Sequence, residues 1–154
     1  MQASQKVIAY LNELIGGELA ARDQYFIHAE MYKDLGYTKL FEANNHESEH
    51  ETEHARSMIA RVLTLGGVPN MKVHDINVGK NVEEMIGNDL QLEYKVQAAL
   101  KKGIKLCEEE LDFVTRDLLV AQLKDTEEDH AHWLEQLQRQ IKDIGLQNFL
   151  QSQL

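Results

Sequence analysis

The sequence predicts an all-α fold: four long helices in a bundle, one long crossover between the second and third, and a short fifth helix at the C-terminus. Three observations predict it. Apolar residues recur at steps of three and four along four long stretches, and no stretch keeps the two-residue alternation of a strand. The chain also has one Pro and nine Gly in 154 residues, so little interrupts a helix. A chain of this length is expected to form one domain, spanning 1–154, with one core.

The first helix is expected from about Ser4 to Asp34, with Ile8, Leu11, Ile15, Tyr25, Ala29 and Tyr32 on its stripe. The second runs from about Thr38 to Leu65 through Leu40, Met58, Val62 and Leu65, and Gly36 marks the short turn between them. The third runs from about Val82 to Val114 through Ile86, Val96, Leu100, Ile104, Cys107 and Leu111. The fourth runs from about Arg116 to Ile144 through Leu119, Leu123, Leu134, Leu137 and Ile141. A short amphipathic tail, Leu146 to Leu154, follows Gly145. Short first and last turns make their helices antiparallel neighbours. The Gly66–Asn81 connection carries the single Pro and is long for a compact domain. It is explained if it travels the length of the bundle and joins two parallel helices.

Composition narrows the function. Twenty-six acidic against 16 basic residues give a formal charge of −10, which repels nucleic acid and attracts cations. One Cys excludes an internal disulfide framework and a Cys-rich metal site. The start, Met1 to Tyr10, lacks the plan of a secretory leader, and no apolar run is long enough for a membrane span, so a cytoplasmic protein with no membrane partner is expected.

The informative residues are the polar ones on the apolar stripes: Glu18 in the first helix, Glu51 and His54 in the second, Glu93 in the third, Glu127 and His130 in the fourth. Carboxylates are seldom buried unless paired or bound to a metal. Glu18 and Glu51 are 33 residues apart and Glu93 and Glu127 are 34 apart. Glu18 to Glu93 is 75 and His54 to His130 is 76. Each half of the chain thus supplies one Glu and then one Glu-x-x-His. Residues three apart share a helix face, so each motif offers an oxygen and a nitrogen to one centre. Four carboxylates and two imidazoles suit two divalent cations, whose four positive charges offset the four negative ones; oxygen and imidazole favour iron or manganese over structural zinc. Di-iron carboxylate bundles use this ligand set. Glu47-x-x-His50 fits the same short motif, so a single copy is weak and the pair is the signal. His28, His74 and His132 are expected at the surface, Cys107 as a small buried hydrophobe, and Trp133 as packing.

These residues carry a resemblance. From Lys6-Val7-Ile8 through Gly17-Glu18-Leu19, Asp23-Gln24-Tyr25-Phe26, His46-Glu47, Val82-Glu83-Glu84-Met85 and Arg116-Asp117 to Gly145-Leu146-Gln147-Asn148, the chain resembles bacterioferritin. The resemblance implies a ferritin-like bundle, a 24-subunit shell around a ferric mineral, and a ferroxidase that oxidises Fe(II) with dioxygen or peroxide at two irons per subunit. It implies that Glu51 and Glu127 bridge the metals, that Glu18, Glu93, His54 and His130 are terminal ligands, and that Tyr25 stands beside the site. A ferredoxin-type reductant for iron release is the partner it suggests.

Two departures refine it. Bacterioferritins bind haem between subunits through a Met that directly follows the bridging Glu of the second helix, and here Thr52 follows Glu51. A hydroxyl does not replace a thioether on haem iron. The chain therefore resembles the haem-free bacterial ferritin branch, and its homopolymer is expected to lack bis-Met haem; a mixed shell with a Met-bearing sister subunit stays open. His50 stands where relatives often place Asp, and with His46 and Glu47 it suggests an iron stepping site on the inner surface. Two rival functions are weaker. A non-storage di-iron oxidase or peroxidase usually adds a Cys-rich domain. A Dps-like iron-sequestering protein places its iron between subunits and needs no pair of Glu-x-x-His motifs.

Overall fold

The computed structural model describes residues 3–154; Met1, where the stretch read for a leader begins, lies outside them. Six α-helices follow in order: α1 (Gln5–Leu35), α2 (Thr38–Thr64), α3 (Val82–Glu109), α4 (Phe113–Asp125), α5 (His132–Ile144) and α6 (Leu146–Ser152). A π-helical segment, Thr126–Ala131, joins α4 to α5 without a break, so these three form the fourth long helix of the bundle. The expected architecture is present, and the described residues contain no strand.

Local chemistry sets the ends. Ser4 accepts a bond from the Val7 amide at the start of α1, and Asn81 accepts one from Glu84 at the start of α3. Gly36, at φ 86°, closes α1: its amide reaches Lys33 O and the Tyr37 amide reaches Tyr32 O. The third helix ends earlier than its stripe suggested. Leu111 turns left-handed at φ 57°, and Asp112 then caps α4 by accepting from the Thr115 amide at 3.0 Å. Arg61 of α2 clamps that carboxylate at 3.1 Å. The apolar pattern runs through this corner because Leu111 continues it, but its side chain is exposed.

The crossover follows α1 from one end to the other. Asn12 bonds Val68 O and the Asn70 amide, Gln24 accepts from the Asn77 amide, and His28 Nε2 accepts from the Gly79 amide at 3.0 Å. Gly16 lies beneath the strap, where a Cβ would meet Lys72 O at 2.0 Å. The strap carries the chain past α1, so α3 runs parallel to α2.

The interior divides into three parts. Val7, Leu11, Ile15, Met58, Leu100 and Leu119 belong to one apolar cluster. Tyr32, Leu40, Met85, Ile86, Leu134 and Phe149 belong to another, which α6 closes through Phe149. Between them lie buried polar groups: Glu18, Glu47, Glu51, His54, Glu93, Gln122, Thr126 and His130.

Candidate metal centre

Four helices supply this polar layer. Glu18 comes from α1, Glu47, Glu51 and His54 from α2, Glu93 from α3 and His130 from the π segment. Glu18, Glu51 and His54 form one triad of converging donors, and Glu51, Glu93 and His130 form a second. Glu51 belongs to both. His54 Nδ1 lies 3.6 Å from Glu18 Oε2 and 3.7 Å from Glu51 Oε2. His130 Nδ1 lies 2.8 Å from Glu51 Oε1 and 3.4 Å from Glu93 Oε1.

Several of these atoms are close but out of line for hydrogen bonding. Both oxygens of Glu51, Oε2 of Glu18 and Glu93, and Nδ1 of His54 and His130 are buried without a hydrogen-bond partner among the described residues. Such atoms are costly to bury unpaired and are rare in native proteins. Lone pairs from two triads converging across a shared carboxylate fit two cations.

The titration of the layer follows from its crowding. Burial pushes Glu18 well above the carboxylate range, and the Glu51 charge adds to this. Burial and Glu51 also push Glu93 up to about 7, against the nearby His130. Burial opposes ionisation of Glu51, but the close approach of Glu18, His130 and His54 outweighs that and holds it below its ordinary value. Burial disfavours charge on His54, yet Glu18 and Glu51 raise it to about 11. His130 is raised likewise, against burial, by Glu47, Glu51 and Glu93. The metal-free chain thus holds protons where metals would hold the same atoms.

Tyr25, fully buried, donates a short hydrogen bond to Glu93 Oε1, which leaves Oε2 free. His54 Nε2 lies 3.2 Å from Asp125 Oδ2, and Gln122 donates to His54 O at 3.1 Å.

The structure brings together Glu18, Glu51, His54, Glu93, His130 and Tyr25. It does not bring Glu127 to them. Glu127 points outward, 3.7 Å from Lys101 Nζ, with 45% of its side chain exposed. The reason is the π segment. Residues three apart share a face in an α-helix, but i→i+5 bonding turns the chain less per residue, so Thr126 takes the inward position instead.

Three further placements differ from the sequence reading or extend it. Glu47, read onto the inner surface, is buried, with Oε2 2.7 Å from His130 Nε2. Glu47, His50, Asp129 and His130 make a third group of converging donors. His46 is exposed and lies beside His50, the rings tilted by 56° with centroids 4.1 Å apart, outside that group. His28 is not at the surface: its Nδ1 lies 2.9 Å from buried Asp89, which also accepts from Gln24 at 2.8 Å. The strap covers a face of α1 that periodicity alone leaves open to water; Asp89 on the third stripe was the available signal that a partner was needed. His74 and His132 are exposed, and Cys107 is buried.

Two cavities reach the layer. One of about 430 Å³ lies between α1, α3 and the strap and touches Glu18 beside Glu13, His74 and Asp75. The other, about 250 Å³, touches Glu47 beside Asp129 and Trp133.

A four-helix bundle with one long crossover, holding two carboxylate–histidine triads that share a glutamate, defines the carboxylate-bridged di-metal class. The comparisons give the family of the fold. A ferritin-like domain matches residues 8–152, and the chain belongs to that family. It is 62% identical to a bacterial ferritin of Neisseria meningitidis serogroup B and 58% identical to one of Pseudomonas aeruginosa, each over the full length of both chains. A bacterioferritin of Mycobacterium leprae is 38% identical over 136 residues, 88% of this chain and 85% of that one. The chain therefore falls with the bacterial ferritins, at greater distance from the bacterioferritins.

Proposed function

We propose that the chain stores and detoxifies iron by oxidising Fe(II) to Fe(III) at the two triads and passing it to a ferric mineral inside a shell of like subunits. The observation that carries this is the set of unpartnered lone pairs on Glu18, Glu51, Glu93, His54 and His130, arranged as two triads about Glu51. Iron is the substrate and the cargo. Two Fe(II) supply two electrons to one dioxygen, which takes up two protons and leaves as hydrogen peroxide; two more reduce a peroxide, with two protons, to two waters. Glu51 holds the two ions together, Glu18 with His54 and Glu93 with His130 complete the separate sites, and Tyr25 aims Glu93. The Glu47–His50–Asp129–His130 group, with His46 beside it, takes iron onward, since His130 belongs to it and to the second triad alike.

The shell is supported by what one chain leaves uncovered. Phe26 is 57% exposed, and Val68, Val73, Phe113 and Val114 are exposed with it. Contiguous subunits of the same chain would cover such surface. Thr52 spends its hydroxyl on Ser48 O at 3.0 Å, so a homopolymer has no thioether to offer haem at this position. A bis-Met haem spectrum in purified homopolymer would contradict that.

The function is tested by size-exclusion chromatography combined with aerobic Fe(II) addition. A large assembly that goes on oxidising and retaining iron well beyond about two ions per chain is expected. A small oligomer, or oxidation that halts at about that ratio, would leave a di-iron oxidase without storage.

A further inference from the structure

Two consecutive glycines, Gly16 and Gly17, stand in the middle of the 31-residue helix α1, where glycine costs stability. The strap accounts for the first, since a Cβ on Gly16 would run into the Lys72 carbonyl. It does not account for the second. The nearest atom to a Cβ on Gly17 is His74 Cε1 at 3.9 Å, an ordinary contact, and Gly17 is not among the glycines with positive φ. What the missing side chain does is leave space. Gly17 lines the cavity of about 430 Å³ beneath the strap, and its neighbour Glu18 is the triad residue that lines it too.

We propose that this cavity is the port through which dioxygen reaches the metal centre at Glu18, and that Gly17 keeps it open. This rests on the di-metal reading above, in which two Fe(II) give two electrons to each dioxygen. The buried walls of the cavity are apolar: Leu14 and Ala20 from α1 and Val96 from α3. Its exposed rim carries Glu13 and Asp75 against Lys72 and Lys95, so the two signs offset each other and the rim draws no cation. Dioxygen is uncharged and apolar, and such a molecule leaves water for apolar surroundings at no cost in lost hydrogen bonds.

The second cavity has the opposite chemistry. Glu47, Glu128, Asp129, His46 and His132 line it, and carboxylates and imidazoles can replace the water that a divalent cation gives up. The walls beneath the strap cannot, so a cation entering there would be desolvated without compensation. The two openings also lie on different faces of the bundle, one between α1 and α3, the other between α2 and α5. Iron and its oxidant therefore have separate paths to one centre, and the oxidant's path ends on the Glu18–His54 side of Glu51.

The test uses the assembled protein. Xenon marks apolar space in a crystal under pressure, and a xenon peak beside Gly17 and Glu18 is expected in the wild type; none there would overturn the proposal. Gly17→Ala, Gly17→Val and Gly17→Leu then fill the cavity in steps. Each protein is loaded anaerobically with Fe(II) and mixed with dissolved dioxygen in a stopped-flow instrument. The oxidation rate constant should fall with side-chain size, by about tenfold or more for Leu, as restricted access lowers an association rate. Co(II) should still bind at about two ions per chain, and as fast as in the wild type. If Leu displaces Glu18 and the metal with it, the Ala and Val variants carry the same comparison. Equal oxidation rates across the series would overturn the port alone, and so would Co(II) association that slows in step with oxidation, which would make the cavity the path of the metal. Wild-type protein that binds no Co(II) would overturn the di-metal reading and the proposal with it.

Discussion

At the scale of single residues, Glu51 differs from its neighbours by belonging to both triads. Glu18→Ala should therefore cost one metal and Glu51→Ala both. Anaerobic Co(II) titration should fall from about two ions per chain to about one for the first variant and towards none for the second. Equal losses in the two variants would contradict the sharing. The same residues make binding release protons, because metal takes nitrogens and oxygens that the metal-free chain keeps protonated. With Glu93 at about 7 and His54 at about 11, affinity should rise with pH across the neutral range and fall steeply below it, where Glu93 is protonated as well. Calorimetry in buffers of different ionisation heat measures the protons released; a buffer-independent heat would refute the account. Five residues of the two triads were legible because each is a polar residue on an apolar stripe, four of them in regular α-helices and His130 within the π segment. Glu127 was read onto the centre by the same rule and lies outside it, since the rule assumes the turn of an α-helix and nothing in Thr126–Ala131 announces a π segment.

At the scale of elements, the crossover is the part that periodicity cannot see. Its length implied a strap, and the two parallel helices it joins confirm that inference. Its contacts depend on long-range placement, which is why buried His28 passed for a surface residue. The Gly79 amide donates to His28 Nε2, so Nδ1 carries the proton and faces Asp89, and the ring bridges strap, α1 and α3 as a neutral group. His28→Ala leaves the Gly79 amide and part of the Asp89 carboxylate without partners. It should destabilise the metal-free chain by about 2–4 kcal/mol. Hydrogen exchange at Gly79 should accelerate at least as strongly, because that end of the strap loses its attachment. A faster exchange confined to helix interiors, with the strap still protected, would place the role of His28 elsewhere.

At the scale of the whole molecule, two apolar clusters enclose a layer that is unfavourable until it is filled. Glu93 shows the cost most directly. Its carboxyl is held at about 7 in the folded chain and near the ordinary carboxylate value, about 4.3, when unfolded. Between those values the folded state keeps a proton that the unfolded state has lost, so the metal-free protein loses stability as pH rises through that window. Glu93→Gln keeps an acceptor for Tyr25 but has no proton to lose. The variant should match wild type near about pH 4.5 and exceed it by on the order of 3–4 kcal/mol near about pH 8 in denaturant titrations. A saturating divalent cation should reverse the order, since a cation at about a thousand times its dissociation constant adds about 4.1 kcal/mol to the protein that binds it. Parallel stability curves for the two proteins, with and without metal, would show that the buried layer is not strained by charge. The reversal would show that the acidic centre lowers stability in the empty chain and raises it in the loaded one, so that binding and stability draw on the same carboxylates.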